Sequence, residues 1–385
     1  MTDGLTGAAN PFLRYRERLE SYRPVSDGKL SDDAFVQVIL ALDAAVAQVE
    51  GRPDRPGFTA TPLLDGAYLA ATTGLETELW IKAEPGNVAG SHKARHLFGT
   101  AIDLAVTELV EGPSGDGGRL AIASCGNAAL AAGVVAAALN RPLDVYVPTW
   151  ADDGIVARLT ELGAEVNRCP RVEGEAGDPA FLRFREAVAA GARSFSVQGT
   201  DTPTTFDGGR TLGWEIADQL LERSGRGPEA GDALYIQVGG GALATATSLA
   251  LPEAALYPVQ AEGCAPLRRA WDLLTPDFDF DGAAADPDAY MWPWEDEPHS
   301  LATGILDDVT YDWLPLLRLT HATGGEPVVT PEPVVVEAHR LAQAHTDVPV
   351  CATGSAGFAG LLHQMAIGRM DHRRTILVFS GIDRT

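Results

Sequence analysis

Residues 79–109 read LWIKAEPGNVAGSHKARHLFGTAIDLAVTEL, which predicts a short strand, a turn and a helix in succession. The turn contains proline and glycine, and the apolar residues after it recur at the three- and four-residue spacing of one helix face. The same alternation of apolar run, turn and helical stretch continues from Thr61 to the end of the chain. This alternation predicts an α/β fold with open, mostly parallel sheets flanked by helices.

The other elements follow from the same pattern. Strands are predicted at residues 79–82, 120–124, 143–147, 165–168, 194–197, 234–238, 256–261 and 375–379, with helices at 92–109 and 211–223. Residues 1–60 are predicted to form an N-terminal extension, polar and arginine-rich at 10–22, in which Ser31 caps a helix that runs to about residue 49. The acidic and aromatic stretch 272–299 is predicted to be an irregular surface insertion or lid.

The composition excludes several functional classes. The 385 residues include 29 Lys and Arg against 53 Asp and Glu, a net charge of −24 that repels nucleic acids and anionic membrane surfaces. No apolar run is long enough to span a bilayer and the first residues carry no export signal, so we expect a cytoplasmic protein. The four cysteines form no CxxC pair, which argues against a disulfide framework or a zinc site.

Lysine is rare in this chain. It occurs only at positions 29, 82 and 93, so arginine supplies 26 of the 29 basic residues. A guanidinium stays protonated and cannot replace a lysine amine as a nucleophile. Lys93 lies in GSHKAR, at the start of the helix that follows the first predicted strand, where open α/β sheets bind ligands. It is either an amine nucleophile or a solvated lysine that opens a helix.

A second predicted strand end is suited to binding an anion. The strand at 120–124 leads into the start of a helix through Ser124, Cys125, Gly126 and Asn127. Backbone N–H groups and a serine hydroxyl at a helix start can hold a carboxylate. The alternative is a plain turn in which Asn127 caps the helix.

Two further strands end in small residues. After the strand at 234–238 the chain reads Gly239, Gly240, Gly241, Ala242 and Leu243. Successive glycine N–H groups can converge on a phosphate, although the spacing matches neither GxGxxG nor the P-loop. The strand at 375–379 ends in Ser380, which taken alone is most simply a strand cap.

Together these strand ends describe one kind of pocket. An amine, a carboxylate loop, a phosphate loop and a hydroxyl suit an aldehyde cofactor with a phosphate and an amino-acid substrate. Pyridoxal 5'-phosphate (PLP) is the cofactor with those groups.

From about Thr61 to Ser380 the chain resembles the fold-type II PLP enzymes, which include threonine synthase, serine and threonine dehydratases, cysteine synthase and the tryptophan synthase β chain. The shared motifs, in order, are TPL at 61–63, GSHK at 90–93, SCGNAA at 124–129, GGGAL at 239–243 and FSG at 379–381. Two more stretches, GRTLGWEI at 209–216 and VQAEGCAP at 259–266, look most like threonine synthases and dehydratases.

The resemblance implies a two-lobed enzyme with the cofactor clamped between the lobes. The smaller, mobile lobe would span residues 88–195 and the larger, cofactor-binding lobe residues 61–87 and 196–385. We expect a homodimer that acts on an amino acid as its small-molecule substrate and needs no metal.

The resemblance also implies roles for individual residues. Lys93 would be the Schiff-base lysine and would shuttle the Cα proton, while Ser91 and His92 are the nearby candidates to protonate a leaving group. Asn127 is implied to contact the ring's 3'-oxygen, Gly239–Leu243 the phosphate, and Ser380 the pyridine nitrogen. The substrate is implied to bind through its carboxylate at Ser124, Cys125, Gly126 and Asn127.

Two differences from the family pattern reduce the number of reactions to be expected. The tryptophan synthase β chain carries a glutamate just before its substrate loop, where this chain reads LAIAS at 120–124, so tryptophan synthesis is not expected. Ala94 stands where family members commonly have an aspartate after the lysine. We predict β-elimination from a hydroxy amino acid to a 2-oxo acid and ammonia.

Two alternatives stay open. One is a β- or γ-replacement synthase, including threonine synthase acting on phosphohomoserine, if arginines such as Arg95, Arg158 or Arg210 form a second phosphate site. The other is a PLP-binding protein without turnover.

Overall fold

The computed structural model describes residues 9–112, 118–175 and 177–384. The chain divides into two compact units. The first unit comprises Met1–Ala60 and Asn87–Thr211, and the second unit comprises Thr61–Gly86 and Leu212–Thr385. The first unit therefore includes the predicted N-terminal extension and continues beyond residue 195, the limit predicted for the smaller lobe.

The described residues form short strands and longer helices in alternation. The strands are β1 Leu63–Asp65, β2 Glu78–Ala83, β3 Leu120–Ala123, β4 Leu143–Pro148, β5 Glu165–Cys169, β6 Arg193–Ser194, β7 Asp232–Gln237, β8 Ala255–Ala261, β9 Val328–Thr330 and β10 Arg374–Phe379. The α-helices are α1 Pro11–Arg14, α2 Arg23–Ser26, α3 Asp32–Val49, α4 Ala67–Thr73, α5 Lys93–Glu111, α6 Asn127–Ala138, α7 Asp153–Glu161, α8 Pro179–Ala189, α9 Thr205–Ser224, α10 Ala242–Leu249, α11 Pro266–Leu274, α12 Phe280–Ala285, α13 Trp313–Ala322, α14 Glu332–His345 and α15 Ala352–Ala366. Short 3-10 turns lie at Arg16–Arg18, Glu20–Tyr22, Val88–Gly90, Pro287–Ala289 and Thr303–Ile305.

The first unit is built on a four-stranded parallel sheet with the order β5-β4-β3-β6. Its strand β3 is apolar throughout, as expected for a strand covered on both faces. Helix α6 is rich in alanine, and its small side chains let α3 and α5 pack closely against it. The loop that begins at Ser124 therefore leaves the carboxyl edge of this sheet.

Residues 9–60 pack within the first unit. The rings of Phe12, Phe58 and Phe98 form a cluster with centroids 4.4–5.2 Å apart. The Asp207 carboxylate accepts hydrogen bonds from the backbone N–H groups of Glu20 and Ser21 at 2.8 and 3.2 Å. Burial raises the pKa of Asp207 despite these bonds, because the charged carboxylate loses its hydration.

The second unit is built on a six-stranded sheet with the order β1-β2-β10-β7-β8-β9. Only the edge strand β1 is antiparallel to its neighbour among these strands. Helices α4, α14 and α15 cover one face of the sheet, and α10, α11, α13 and residues 212–224 of α9 cover the other. The last strand, β10, is buried along its whole length between β2 and β7, which places the end of β7 beside Ser380.

The predicted elements agree with the structure in most places. Every predicted strand is present, with ends within two residues, except that the stretch at 194–197 is paired only at Arg193–Ser194. The pattern missed β1 and β9, which have three residues each, and α9 begins at Thr205 rather than at residue 211.

The prediction of an irregular segment at 272–299 is wrong in part. The stretch 272–299 contains helix α12, and Arg269 lies 3.9 Å from the ring centroid of Trp292 in the same stretch. The segment 10–22 is polar and arginine-rich in sequence, and its apolar residues Phe12, Leu13, Tyr15 and Leu19 are buried. Among the described residues, no helix combines the length and the apolar sequence needed to cross a bilayer.

Candidate active site

Lys93 is the first residue of α5, the position that the sequence predicts for it. Its side chain is half-buried, and no side chain in the described part of the chain caps the start of α5. Ser91, two residues earlier, is fully buried, and its hydroxyl has no hydrogen-bond partner among the described residues. An unpartnered buried hydroxyl beside an accessible amine fits a site that receives a polar ligand.

The first turns of α5 are held in one orientation by residues 205–211 of the same unit. The Arg95 guanidinium donates a hydrogen bond to Thr211 Oγ1 at 3.1 Å, and His96 Nδ1 lies 2.9 Å from the Thr205 carbonyl oxygen. Gly99 and Gly208 pack backbone to backbone, since a Cβ at Gly208 would lie 1.9 Å from the Arg95 carbonyl oxygen. Helix α5 therefore presents Lys93 from a fixed support, which the sequence pattern did not reveal.

The other two lysines lie in different surroundings. Lys82 is fully buried within the second unit, with Nζ 2.6 Å from Glu215 Oε2, 2.7 Å from the Thr61 carbonyl oxygen and 2.8 Å from Gln219 Oε1. Lys29 is exposed in a turn. The Lys82 amine is sealed from solvent and engaged by three acceptors, so only Lys93 is placed to act as an amine nucleophile.

The loop from Ser124 to Asn127 joins β3 to α6 and is half-exposed throughout. Asn127 is the first residue of α6 and Gly126 is its N-cap, so the alternative in which Asn127 caps the helix is wrong. No side chain of the described residues caps α6, and a Cβ at Gly126 would meet nothing within 4 Å. Ser124 Oγ accepts a hydrogen bond from the Gly126 N–H at 3.5 Å. Open space before an uncapped helix start suits a carboxylate.

The glycine loop of the second unit joins β7 to α10. Gly241 is the N-cap of α10 with φ of +105°, a conformation that favours glycine, and no side chain in the described ranges caps this helix. A Cβ at Gly239 would lie 2.6 Å from a carboxylate oxygen of Asp307, so position 239 has no room for a side chain. Gly240 is half-exposed, and its carbonyl accepts a hydrogen bond from the Asp312 N–H at 2.8 Å. Ala242 and Leu243 are buried in the first turn of α10.

Ser380 follows β10 and is more than a strand cap, because a side chain from the neighbouring strand contacts its hydroxyl. Gln237, the last residue of β7, is 4% exposed and directs its Nε2 atom to Ser380 Oγ. The same Nε2 atom donates to the carbonyl oxygens of Gly354 at 3.0 Å and Val378 at 3.2 Å. Gln237 was not identified from the sequence, because a glutamine at a strand end gives no signal without its partners.

A cysteine near this edge is unreactive. Burial, together with the carboxylates of Asp308 and Asp307, raises the pKa of Cys264 to about 12. Its Sγ atom lies 3.3 Å from the Asp307 carbonyl oxygen. A thiol with this pKa stays protonated at neutral pH, so Cys264 is not a competing nucleophile.

These features fit PLP. The second unit supplies an uncapped helix start in a glycine loop for a phosphate and a buried serine hydroxyl for a ring nitrogen. The first unit supplies the amine of Lys93, with Ser91 and His92 before it, and the open loop from Ser124 to Asn127. The structure thus presents each predicted site residue at the end of a strand or at the start of a helix in its own unit.

Comparison with known proteins identifies the family. The model of the family described as pyridoxal-phosphate dependent enzyme matches residues 55–381. A rat protein named serine dehydratase-like is 28% identical over 188 residues, 49% of this chain and 50% of its own length. The L-threonine ammonia-lyase of Thermotoga maritima is 28% identical over 209 residues, 52% of this chain and 46% of its own length. The chain thus spans about half the length of these curated relatives.

Solved structures share the fold. A threonine deaminase from T.th. superposes with a TM-score of 0.65 at 23% identity, over 90% of this chain and 98% of that one. The serine racemase of Dictyostelium discoideum gives a TM-score of 0.66 at 16% identity, with the same shares of 90% and 98%. The family match over most of the chain and this shared fold show that the protein belongs to the fold-type II pyridoxal-phosphate dependent enzymes, with PLP as its cofactor.

Proposed function

We propose that this enzyme is an ammonia-lyase that removes water from a β-hydroxy amino acid and yields a 2-oxo acid and ammonia. The observation that carries the proposal is the Ser91 hydroxyl, which is fully buried two residues before Lys93 and has no hydrogen-bond partner among the described residues. Elimination of a hydroxide requires a proton donor near the base, and this hydroxyl is available for that role. Relatives named serine dehydratase-like and L-threonine ammonia-lyase support the same chemistry.

PLP, when bound, supplies an electron sink that makes the Cα proton of an amino acid acidic. Lys93 Nζ is the amine that would hold the cofactor through its aldehyde, and it would accept the Cα proton of the substrate. Backbone N–H groups of the loop from Ser124 to Asn127 hold the substrate carboxylate. Ser91 would donate a proton to the leaving hydroxyl, which departs as water, and the proton accepted by Lys93 would restore the serine hydroxyl. One water is then added as the C–N bond breaks, so the overall reaction balances without an oxidant.

A replacement synthase acting on phosphohomoserine would need arginines for a second phosphate site, and the three candidate arginines are already paired within the protein. Arg95 donates to Thr211 Oγ1, Arg158 to Glu161 at 3.2 Å, and Arg210 to Glu20 and Asp207 at 2.8 and 2.9 Å. Each guanidinium has a protein acceptor, which weakens the case for a second phosphate site. No acid lies between residues 120 and 127 to activate a carbon nucleophile.

The test is a substrate screen with the PLP-loaded protein. Serine, threonine, aryl-serines and phosphohomoserine are each incubated with the enzyme, and 2-oxo acid, ammonia and threonine are measured. We expect 2-oxo acid and ammonia in equal amounts from at least one hydroxy amino acid. Threonine formed from phosphohomoserine, with no 2-oxo acid from any hydroxy amino acid, would show that the enzyme is a synthase instead.

A substitution tests the role of Ser91. We expect Ser91→Ala to lower kcat for elimination by about 10²-fold or more, the usual contribution of a positioned acid, while PLP remains bound. Ser124→Ala is the comparison, because loss of a carboxylate contact should raise KM more than it lowers kcat. Full activity in Ser91→Ala would remove this residue from the mechanism and leave His92 as the candidate donor.

A further inference from the structure

The turn that leads into Lys93 has a strained backbone. Ala89 has φ of +52° and ψ of +20°, and Gly90 after it has φ of +69°. This left-handed region is open to glycine, but in an alanine the Cβ crowds the backbone. In the described part of the chain, Asn140 and Phe278 are the only other residues besides the glycines with positive φ. A strained residue of this kind persists only where its surroundings hold it.

The surroundings of Ala89 include a carboxylate from the N-terminal part of the same unit. The Ala89 N–H donates a hydrogen bond to Glu50 Oε2 at 3.4 Å. Glu50 is the C-cap of α3, and the Arg52 guanidinium lies 2.9 Å from the same oxygen. An acidic side chain at this end of a helix is unfavourable, because the helix dipole is negative there. Glu50 is thus placed against the preference of its own helix, at the point from which it reaches the turn.

The direction of the Ala89 N–H is tied to the path of the chain toward Lys93. The N–H belongs to the peptide group before Ala89, and Ser91 follows after it. A change of φ at Ala89 would rotate one part relative to the other, so the bond to Glu50 could not persist while Ser91 kept its place. Ser91 has extended backbone and is fully buried, and α5 begins at Lys93 two residues later.

We propose that Glu50 is a positioning residue, which holds Ala89 in its left-handed conformation and thereby fixes where the turn presents Ser91 and Lys93. The inference rests on the proposed function, in which Ser91 protonates the leaving group and Lys93 is the base. Glu50 acts through the backbone of the turn. Because Glu50 lies in the N-terminal segment 9–60, this segment contributes to catalysis as well as to packing.

Four variants separate a positioning role from a structural one. Glu50→Ala removes the acceptor, Glu50→Asp draws the carboxylate back by one methylene, and Glu50→Gln keeps the length and one acceptor oxygen. Glu50→Ala combined with Ala89→Gly also lacks the acceptor, but glycine adopts the left-handed conformation without strain. The matched control is Glu161→Ala, since Glu161 ends a helix of the same unit and is likewise paired with an arginine, Arg158, at 3.2 Å.

The first measurement uses no substrate. PLP is added to the cofactor-free protein, and the growth of near-visible absorbance gives the rate at which Lys93 forms its link to PLP. The second measurement gives kcat and KM for elimination. We expect Glu50→Ala and Glu50→Asp to lower the linkage rate and kcat about tenfold, the change in population that the strain of one left-handed alanine would cause, with a smaller change in KM. Their unfolding temperatures should stay close to that of Glu161→Ala.

The other variants should recover function. Glu50→Gln should stay within about twofold of the wild type, because its oxygen still accepts from Ala89. In the Ala89→Gly background, Glu50→Ala should lower both rates by about twofold or less. The backbone is observed directly in protein labelled with ¹³C-carbonyl valine and ¹⁵N-alanine, since the sequence contains only five Val-Ala pairs. The Ala89 amide should exchange with solvent faster in Glu50→Ala than in Glu161→Ala.

Two outcomes would overturn the proposal. Unchanged linkage rates and kcat in Glu50→Ala would show that the contact is only structural, and Glu50→Asp gives the same answer should the alanine substitution disturb folding. An equal loss with and without Ala89→Gly would show that Glu50 does not act through the backbone of Ala89. Failure of the proposed function gives a different result, because the wild-type protein would link PLP without producing 2-oxo acid, and the linkage rates would still test Glu50.

Discussion

At the scale of single residues, the site depends on a few side chains whose environment differs from that of chemically identical neighbours. Lys93 and Lys82 carry the same amine, yet Lys82 is fully buried against Glu215 and Lys93 is half-buried at a helix start. The sequence predicts Lys93 because its motif follows a strand end. It could not predict Gln237, because the importance of that amide depends on carbonyl groups from β10 and α15.

Substitution of Lys93 should remove the covalent link to the cofactor. We expect Lys93→Ala to lose the near-visible absorbance of lysine-linked PLP and to incorporate no label when the loaded protein is reduced with borohydride, because the Lys82 amine is buried against three acceptors. Mass spectrometry of peptides from the reduced protein makes the measurement. Lys29→Arg, at an exposed turn, is the control and should still be labelled at Lys93. Labelled Lys82 or Lys29 would contradict the assignment.

We expect a carboxylate in the glycine loop to weaken PLP binding while it leaves the stability of the fold nearly unchanged. Gly240 is half-exposed, and an aspartate there would compete with the phosphate for the loop N–H groups and repel it. We expect Gly240→Asp to weaken PLP binding about tenfold or more, while the unfolding temperature of the cofactor-free protein changes little. Gly227→Asp, where a Cβ would meet nothing within 4 Å, serves as the comparison. Equal PLP affinities in the two variants would show that the loop has only a structural role.

At the scale of elements, tertiary packing explains where the sequence pattern failed. The first two turns of α9, TFDGGRT at 205–211, are polar and glycine-rich and give no helical signal. They are helical because Gly208 packs against α5 and the Thr211 hydroxyl accepts from Arg95. Strands β1 and β9 were missed because three residues are too few to show a period of two. Longer segments such as β7 and β10 were predictable because each contains four consecutive apolar residues.

The contact between α5 and residues 205–211 predicts a large effect of a small change. A methyl group at Gly208 would lie 1.9 Å from the Arg95 carbonyl oxygen, so Gly208→Ala forces the two backbones apart. We expect the free energy of unfolding to fall by roughly 1–3 kcal/mol, the usual cost of overpacking a filled contact. Urea unfolding followed by circular dichroism measures the change, with Gly227→Ala as the control. If Gly208→Ala were as stable as the control, the contact between Gly208 and the Arg95 carbonyl would have room for a methyl group.

At the scale of the whole molecule, the dominant property is the net charge of −24. Some of the acidic side chains are partly buried, and burying a charged carboxylate lowers the free energy of unfolding. Burial, followed by the carboxylates of Asp207 and Glu20, raises the pKa of Asp103. A carboxyl group whose pKa is higher in the folded state stabilises the fold below its unfolded pKa, and this stabilisation is lost as pH rises through the folded pKa. At neutral pH, therefore, Asp103 lowers stability relative to a neutral side chain.

The substitution Asp103→Asn should raise the free energy of unfolding at neutral pH by up to about 1 kcal/mol, the range for a partly solvated charge. The difference should shrink as the pH falls below the raised pKa, because the wild-type carboxyl is then neutral as well. Urea unfolding at a series of pH values measures both the increase at neutral pH and its decrease at lower pH. Asp54→Asn, at an exposed position, is the matched control. An increase in the free energy of unfolding that is the same at every pH would indicate a packing effect rather than a charge effect.

The burial of Lys82 also has a practical consequence for spectroscopy. With only three lysines in the chain and one of them sealed from solvent, reductive methylation with ¹³C-formaldehyde should modify few sites in the folded protein. In the cofactor-free enzyme, the lysine signals should come from Lys29 and Lys93, and loading with PLP before methylation should protect Lys93. The comparison would give one resonance that reports directly on the amine of the site, without any substitution in the chain.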